Sequence, residues 1–156
     1  MLSQLDQLCR ATEDRFAQDQ ELEFLEDYVQ SFHLRKELYG KLRAMESDLV
    51  QKVYTYLKAK HPEVFESSSQ DLSKKWQQDT LRVIRYIAHA VLMNDIETYR
   101  QRFLLWFQTI MKAFGTQKSC QITYEVMTAV LQRSLSAEEY TMVQPFLQLT
   151  QETLSS

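Results

Sequence analysis

The side chains best suited to binding chemistry in this chain lie close together between residues 74 and 95. Lys75, Asp79, Arg82 and Arg85 combine one carboxylate with three cations. Residues three or four positions apart share one face of a helix, so Asp79 lies near Arg82, and the two arginines can serve one surface. Such a set suits charge-assisted hydrogen bonds to a ligand or to a partner protein.

Catalytic and metal-binding arrangements are not evident in the sequence. Cys9 and Cys120 are far apart, and so are His33, His61 and His89. Their positions have neither the spacing of a metal site nor that of a nucleophile with its base. Haem ligation by a histidine is disfavoured, because none of the three lies in a recognisable ligand pattern. The sequence therefore predicts a protein that is not an enzyme and holds no metal.

The stretch that carries the charged set predicts a long amphipathic helix, because apolar residues recur at steps of three and four. This stripe consists of Leu81, Ile84, Ile87, Ala88, Val91 and Leu92. The whole chain of 156 residues has two Gly and two Pro residues, too few for the turns of an all-β fold. Similar stripes elsewhere indicate several helices of unequal length, which favours an all-α, globin-like packing.

Bends that divide the early helices are predicted near residues 31–33 and near Gly40 or residues 47–48. Asp48 is also a candidate cap for a new helix. A third break is expected at Pro62, because proline disfavours helix at the residue before it. Residues 65–71, rich in serine, are predicted to form a loop.

A single domain is expected over residues 1–156, with an N-terminal helical pair at 1–32 and a globin-like core at 33–156. Gly115 fits the left-handed end of a helix. Ser136 and the glutamates that follow it resemble a capping box.

Charge and composition limit the partners of the protein. The net charge of −3 gives no general attraction to nucleic acid or to an anionic membrane. No apolar run is long enough to span a membrane, and residues 1–6 do not resemble a secretory signal. Two separate cysteines indicate a reduced, cytoplasmic compartment.

Four segments, in order along the chain, resemble the phycobiliproteins, the bilin-carrying α and β subunits of cyanobacterial light-harvesting antennae such as allophycocyanin and phycocyanin. Residues 25–50 are similar to the family's early apolar helix with its tyrosine and Leu-Arg pair. Residues 79–95 resemble the run from its pyrrole-binding Asp to its Gly-Asp turn. Residues 95–116 match the following segment without a gap, and residues 135–147 resemble an α-type last helix.

Three departures from the family pattern affect the bilin site. Trp76 stands where the family has the cysteine that forms a thioether to the bilin, and tryptophan has no nucleophile. Gln78 replaces an Arg that pairs with a propionate, and Met111 replaces a pocket Tyr. Asp79 matches the pyrrole-binding Asp, and Lys75 remains as a cation. The resemblance therefore implies a remnant bilin pocket formed by these five residues, with no covalent bilin and no other cofactor.

We expect the bulky indole of Trp76 to fill part of that vacated pocket, since an empty cavity costs stability. If the indole fills this space, the structure should show a closed pocket at the former bilin site. Asp79 has two interpretations: a surviving pyrrole-binding acid, or a surface carboxylate paired with Arg82 or Gln78.

The resemblance also implies an interface between subunits. In the family, an Arg on the central helix pairs with an Asp near the start of the neighbouring chain, and Arg85 matches that Arg. For Arg82 and Arg85 the alternative is a solvated helix face. A short N-terminal helix pair with an apolar face has little to pack on in a monomer, and in the family such a pair forms the contact between subunits. The predicted interface residues are Leu5, Leu8, Glu13, Asp14, Phe16, Arg82 and Arg85.

Two functions follow from these observations. The first is a chromophore-free phycobilisome protein that associates with a second copy or with a phycobiliprotein-like subunit, as an assembly, turnover or regulatory factor at the thylakoid surface. The alternative is a carrier or sensor that binds a tetrapyrrole, bilin or haem, without a covalent bond.

Overall fold

The computed structural model describes residues 1–67 and 70–156, most of them in helices. The elements in chain order are α1 (Leu2–Ala11), α2 (Asp19–Lys60), a 3₁₀ turn (Pro62–Phe65), two antiparallel two-residue strands, β1 (Glu66–Ser67) and β2 (Gln70–Asp71), α3 (Ser73–Met93), α4 (Ile96–Tyr99), a π-helical segment (Arg100–Leu104), α5 (Leu105–Ala113), α6 (Gln117–Ser134) and α7 (Ala137–Ser155). The predicted loop at residues 65–71 contains this strand pair, and its residues 68 and 69 lie outside the described part.

Helix α2 continues through residues 31–33, Gly40 and Asp48, so the breaks predicted there were wrong. Asp48 lies in the interior of the helix and is not a cap. A glycine inside a helix costs only about 1 kcal/mol relative to alanine. The neighbouring Leu38 and Leu42 are almost fully buried, and each contributes about 2 kcal/mol by that burial. Packing against the core therefore outweighs the local preference.

The two halves of α2 have different surroundings. In α1 and α2, which are described throughout, no side chain before Arg35 is buried, whereas one face of the rest of α2 is buried in the core. Arg35 marks the transition, because its Nη1 donates to the carbonyl of Leu92 at 2.5 Å and its guanidinium lies 4.0 Å over the Tyr28 ring. The predicted boundary at residue 32 thus falls inside one helix, and residues 1–34 form an N-terminal arm without a fully buried side chain.

The core lies between the second half of α2 and helices α3, α6 and α7, with the π-helical segment packed against α7. Its fully buried side chains include Leu38, Leu49, Val53, Val83, Phe103, Leu104, Met127, Val143, Leu147 and Leu154. Leu49 and Val53 in α2, and Val143 and Leu147 in α7, lie four residues apart, the spacing that places two side chains on one face of a helix. Among the helices in the described residues, none is long and apolar enough to cross a membrane.

Local sequence signals fix the ends of several helices. Asn94 ends α3 in the left-handed conformation, and the Asp95 side chain then accepts a hydrogen bond from the backbone N–H of Thr98 to cap α4. Gly115 has a φ of 65°, as predicted for the end of α5. Ser136 forms the predicted capping box at the start of α7.

Candidate functional site

A space of about 410 Å³, the α3–α5 cavity, is lined by side chains from α3, α5 and the start of α6. Lys75, Trp76, Asp79 and Met111, four of the five residues predicted to form a remnant pocket, line it. Gln78 does not, since it is exposed and lines a separate groove. The structure thus brings together four of the five predicted residues and leaves Gln78 outside the cavity.

Trp76 forms one wall of the cavity. Its indole Nε1 donates a hydrogen bond of 3.0 Å to Oγ1 of Thr123 on α6. Its ring meets Phe65 edge to face at 5.4 Å between centroids and lies 6.0 Å from Tyr54. These contacts hold the indole at the side of the space. The expectation that the indole leaves a closed pocket was therefore wrong.

Asp79 places a carboxylate in largely apolar surroundings. Its side chain is 23% exposed, and its Oδ1 lies 3.6 Å from Nη1 of Arg82. Burial raises the pKa of Asp79, and the charges of Arg82 and Lys75 only partly offset this effect. Asp79 thus faces the cavity and also lies near Arg82, the pairing that one of its two interpretations predicts.

Lys75 and Phe114 lie at the cavity where it opens to solvent, and both are exposed. The Lys75 Nζ lies 4.2 Å from the centre of the Phe114 ring, within the range of a cation–π contact. An ammonium group therefore already rests on one aromatic face at this opening.

Met111 is buried at the end of α5. Oγ1 of Thr116 donates to the Met111 carbonyl oxygen at 3.1 Å and lies 3.3 Å from its sulfur. This contact ties the α5–α6 turn to the cavity wall.

Cys120 also lines the cavity, and sequence reasoning did not place it there. Burial raises the pKa of the Cys120 thiol to about 11, although a hydrogen bond with Thr116 lowers it in part. Such a thiol is almost fully protonated at neutral pH and is a poor nucleophile. The spacing of Cys120, Thr123 and Tyr124 at i, i+3 and i+4 was the available signal, because it puts all three on one face of α6.

A groove of about 690 Å³, the Arg82–Arg85 groove, follows the outer side of α3. Arg85 donates from Nε and Nη2 to both carboxylate oxygens of Glu46, at 2.8 and 2.7 Å. This hydrogen bonding lowers the pKa of Glu46. Tyr86 also lines the groove and stacks on Phe103 at 3.9 Å between ring centroids. The arginine predicted to bind a partner thus has a carboxylate partner in its own chain.

The other predicted interface residues lie on the N-terminal arm. Phe16 is 97% exposed, the largest exposed fraction among the large apolar side chains that the structure describes. Leu5, Glu13 and Asp14 are exposed and Leu8 is half-buried. The structure therefore leaves these side chains accessible to a partner.

A family model described as "Phycobilisome protein" matches residues 10–154. The chain belongs to the phycobilisome protein family. This match covers α2 to α7 and leaves out most of α1. Together with the helices described above, it confirms the predicted all-α, globin-like phycobiliprotein fold.

No curated protein matches the chain in a sequence search. Membership of the phycobilisome protein family supports a role related to the phycobilisome. Among the described residues, no three His, Cys, Asp or Glu side chains lie together as a metal site requires.

Proposed function

We propose that the protein acts in the phycobilisome by protein–protein association, without covalently attached bilin and without enzymatic activity. The observation that carries this proposal is the placement of Trp76. Its indole forms a wall of the α3–α5 cavity, held by Thr123, at the position where the resemblance puts the attachment cysteine. An indole provides no nucleophile for a thioether bond.

Cys120 is the one described thiol at the cavity, and it does not replace the missing cysteine in this proposal. Its thiol is buried and its pKa is raised to about 11. Attachment at Cys120 would require deprotonation in apolar surroundings, which is unfavourable.

Complementary charges support association between subunits. Residues 13–27 contain seven acidic residues and one arginine, and Phe16 stands exposed among them. The Arg82–Arg85 groove offers cations to such a segment, so a partner acid would share or replace the Glu46 contact of Arg85. The partner in this proposal is a second copy or another phycobiliprotein-like subunit, and the process is assembly, turnover or regulation of phycobilisomes in the cytoplasm at the thylakoid surface.

The test uses protein purified from cells that make both haem and bilin. We expect the intact mass of the unmodified chain, an absorption spectrum without a visible band, and a light-scattering mass above that of a monomer. A bilin adduct on the chain would overturn the proposal, and so would a monomer that binds no phycobilisome component. Trp76→Cys, expressed in the same cells, is the matched control that shows whether the cells can attach bilin at this position.

Non-covalent tetrapyrrole binding is the second candidate, and one observation favours it. The α3–α5 cavity persists beside Trp76, with Asp79 and Lys75 at its surface. None of the described lining side chains is a histidine, so the cavity suits a bilin better than a haem with a histidine ligand. A visible band that is removed by denaturation would support this candidate.

A further inference from the structure

The outer side of α5, together with the π-helical segment before it, carries cations and no acids. Residues 98–124 contain four Lys or Arg residues and no Asp or Glu, in a chain whose net charge is −3. Arg102 and Trp106 are four residues apart, and Leu105, Thr109 and Lys112 follow one another at steps of four and three, so these side chains share one side of the helix. All five are exposed, and we call this surface the α5 face.

Large apolar side chains are exposed on the α5 face and at its end. Trp106 is 53% exposed and Leu105 is 42% exposed. The Trp106 ring lies 6.4 Å from the ring of the buried Phe103, so the core supports the indole at the surface. Phe114, directly after α5, is 65% exposed and has the Lys75 ammonium 4.2 Å from its ring centre. An apolar strip beside cations is thus open to a partner.

The cations of the α5 face stand on either side of this strip. Arg102 precedes Leu105 and Trp106, and Lys112 follows them. Neither cation has a carboxylate partner within the part of the chain that the structure describes, whereas Lys52 on α2 pairs with Asp48. Both charges are therefore available to an anionic surface.

We propose that the α5 face docks the protein on the surface of a membrane that contains anionic lipids. Trp106 and Leu105 lie among the headgroups, where tryptophan is favoured, and Arg102 and Lys112 bind lipid phosphates. The inference goes beyond the association function and does not rest on it.

The composition of the α5 face favours a lipid surface over an acidic protein as the partner. Lysine is depleted in interfaces between proteins. At a membrane, by contrast, the stems of Lys and Arg lie along apolar surface while their charged ends reach the phosphates. Basic residues combined with Trp, Phe or Leu are typical of helices that lie on a membrane.

The negative net charge does not oppose this docking, because the acids are concentrated elsewhere. Residues 13–27 alone hold seven of the 21 acidic residues. Charges separated by more than about 8 Å are largely screened at physiological salt. A membrane therefore responds to the face that it touches and not to the net charge of the chain.

The experiment is co-sedimentation of the whole chain with vesicles of phosphatidylcholine, with or without an equal part of phosphatidylglycerol. We expect binding to the anionic vesicles to be at least about tenfold tighter, and to weaken as the NaCl concentration rises. The double variant Arg102→Gln/Lys112→Gln should bind them about tenfold or more weakly. Trp106→Ala should weaken binding about fivefold or more, because it removes apolar contact.

Arg10→Gln/Lys52→Gln is the matched control, because it removes the same charge from two exposed ion pairs away from the α5 face. It should weaken binding by less than about threefold. Thermal unfolding checks that each variant is folded.

Fluorescence locates the contact, because the chain has two tryptophans. In Trp76→Phe, the emission of Trp106 should shift to shorter wavelength on saturating anionic vesicles and become protected from acrylamide. In Trp106→Phe, the emission of Trp76 should stay unchanged.

Several outcomes would overturn the proposal: no binding to anionic vesicles, equal binding to both kinds of vesicle, an equal loss in the two double variants, or unchanged Trp106 emission in the bound protein. A light-scattering mass that falls in Trp106→Ala, without vesicle binding, would overturn it in favour of a protein partner. The association function is tested without vesicles, so either proposal can fail without the other.

Discussion

Asp95 holds Ser3 through two hydrogen bonds, one from the Ser3 backbone N–H to Oδ2 at 2.8 Å and one from the Ser3 hydroxyl to Oδ1 at 2.7 Å. The same carboxylate caps α4 by accepting from the Thr98 N–H at 3.0 Å. Burial alone raises the pKa of Asp95, but these bonds outweigh it and hold the pKa well below its usual range. One side chain thus fixes the start of α1 against the turn between α3 and α4.

Removing that carboxylate should release α1. We expect Asp95→Ala to lower the free energy of unfolding by about 1–3 kcal/mol, because it removes a helix cap and leaves buried donors unpaired. Amide hydrogen exchange should become faster in α1 and α4, while α6 and α7 change little. Asp48→Ala, at a surface pair, is the control with a small effect. Unchanged exchange in α1 would show that Asp95 does not hold it.

The Trp76 indole should be important for stability as well as for the shape of the cavity. Trp76→Phe keeps an aromatic ring but leaves Thr123 without its donor, which should cost about 1 kcal/mol in urea unfolding. Trp76→Ala should cost about 3 kcal/mol, because it also enlarges the cavity. Trp106→Phe is the matched control, since Trp106 is 53% exposed. Equal effects at the two tryptophans would contradict the role assigned to Trp76.

Asp79 and Glu46 should affect stability in opposite directions with pH. The pKa of Asp79 is raised by burial, so the folded state loses stability as pH rises through that pKa, and Asp79→Asn should be more stable than the wild type at pH 7, by less than about 1 kcal/mol. The pKa of Glu46 is lowered by its hydrogen bonds with Arg85, so its contribution is present at pH 7 and lost in acid. Glu46→Gln should therefore be less stable at pH 7.

The stability differences between the wild type and each of these two variants should become smaller toward pH 3. At that pH, Asp79 and Glu46 become protonated in the unfolded chain. Urea unfolding of the wild type and the two variants at pH 7 and pH 3 measures them. A destabilised Asp79→Asn at pH 7 would mean that the Arg82 contact outweighs the burial of the carboxylate.

The two cysteines should react at very different rates. Cys9 is exposed, whereas Cys120 is buried and has a pKa of about 11. Modification of Cys120 by a disulfide reagent at pH 8 should be at least about a hundredfold slower, because the thiolate fraction and the access are both smaller. Single variants Cys9→Ser and Cys120→Ser assign the two phases, and urea should make the rates similar. A fast Cys120 in the folded protein would reopen covalent attachment at that thiol.

Phe16 should be needed for association and not for folding. Its side chain is 97% exposed in the chain alone, so Phe16→Asp should leave the unfolding midpoint nearly unchanged. If the N-terminal arm binds a partner subunit, the same variant should lower the light-scattering mass at a given concentration. Tyr56→Asp, at a half-exposed position near the other end of α2, is the control. A mass that does not change with Phe16→Asp would exclude this residue from the interface.

Much of the fold was determined by the sequence itself. The apolar spacing of α3, the scarcity of Gly and Pro, Gly115 at a left-handed position and the capping box at Ser136 are local signals, and each predicted the element that is observed. The expectation that position 76 cannot form a thioether also came from residue type, because an indole is not a nucleophile. Each of these predictions depends only on residue type and on residues that are close in the sequence.

The rest depended on contacts between distant residues. Helix α2 continues through Gly40 because Leu38 and Leu42, on either side of it, are buried in the core. Other helices contribute most of that core, so the sequence around Gly40 does not reveal it. The α3–α5 cavity remains open beside Trp76 because a hydrogen bond to Thr123 holds the indole to one side. Cys120 lines the same cavity because its face of α6 points inward. Gln78 does not line the cavity, because neighbouring positions along a helix point in different directions. Residue types fixed which chemistry was available, and only the packing of the helices decided which of those groups meet.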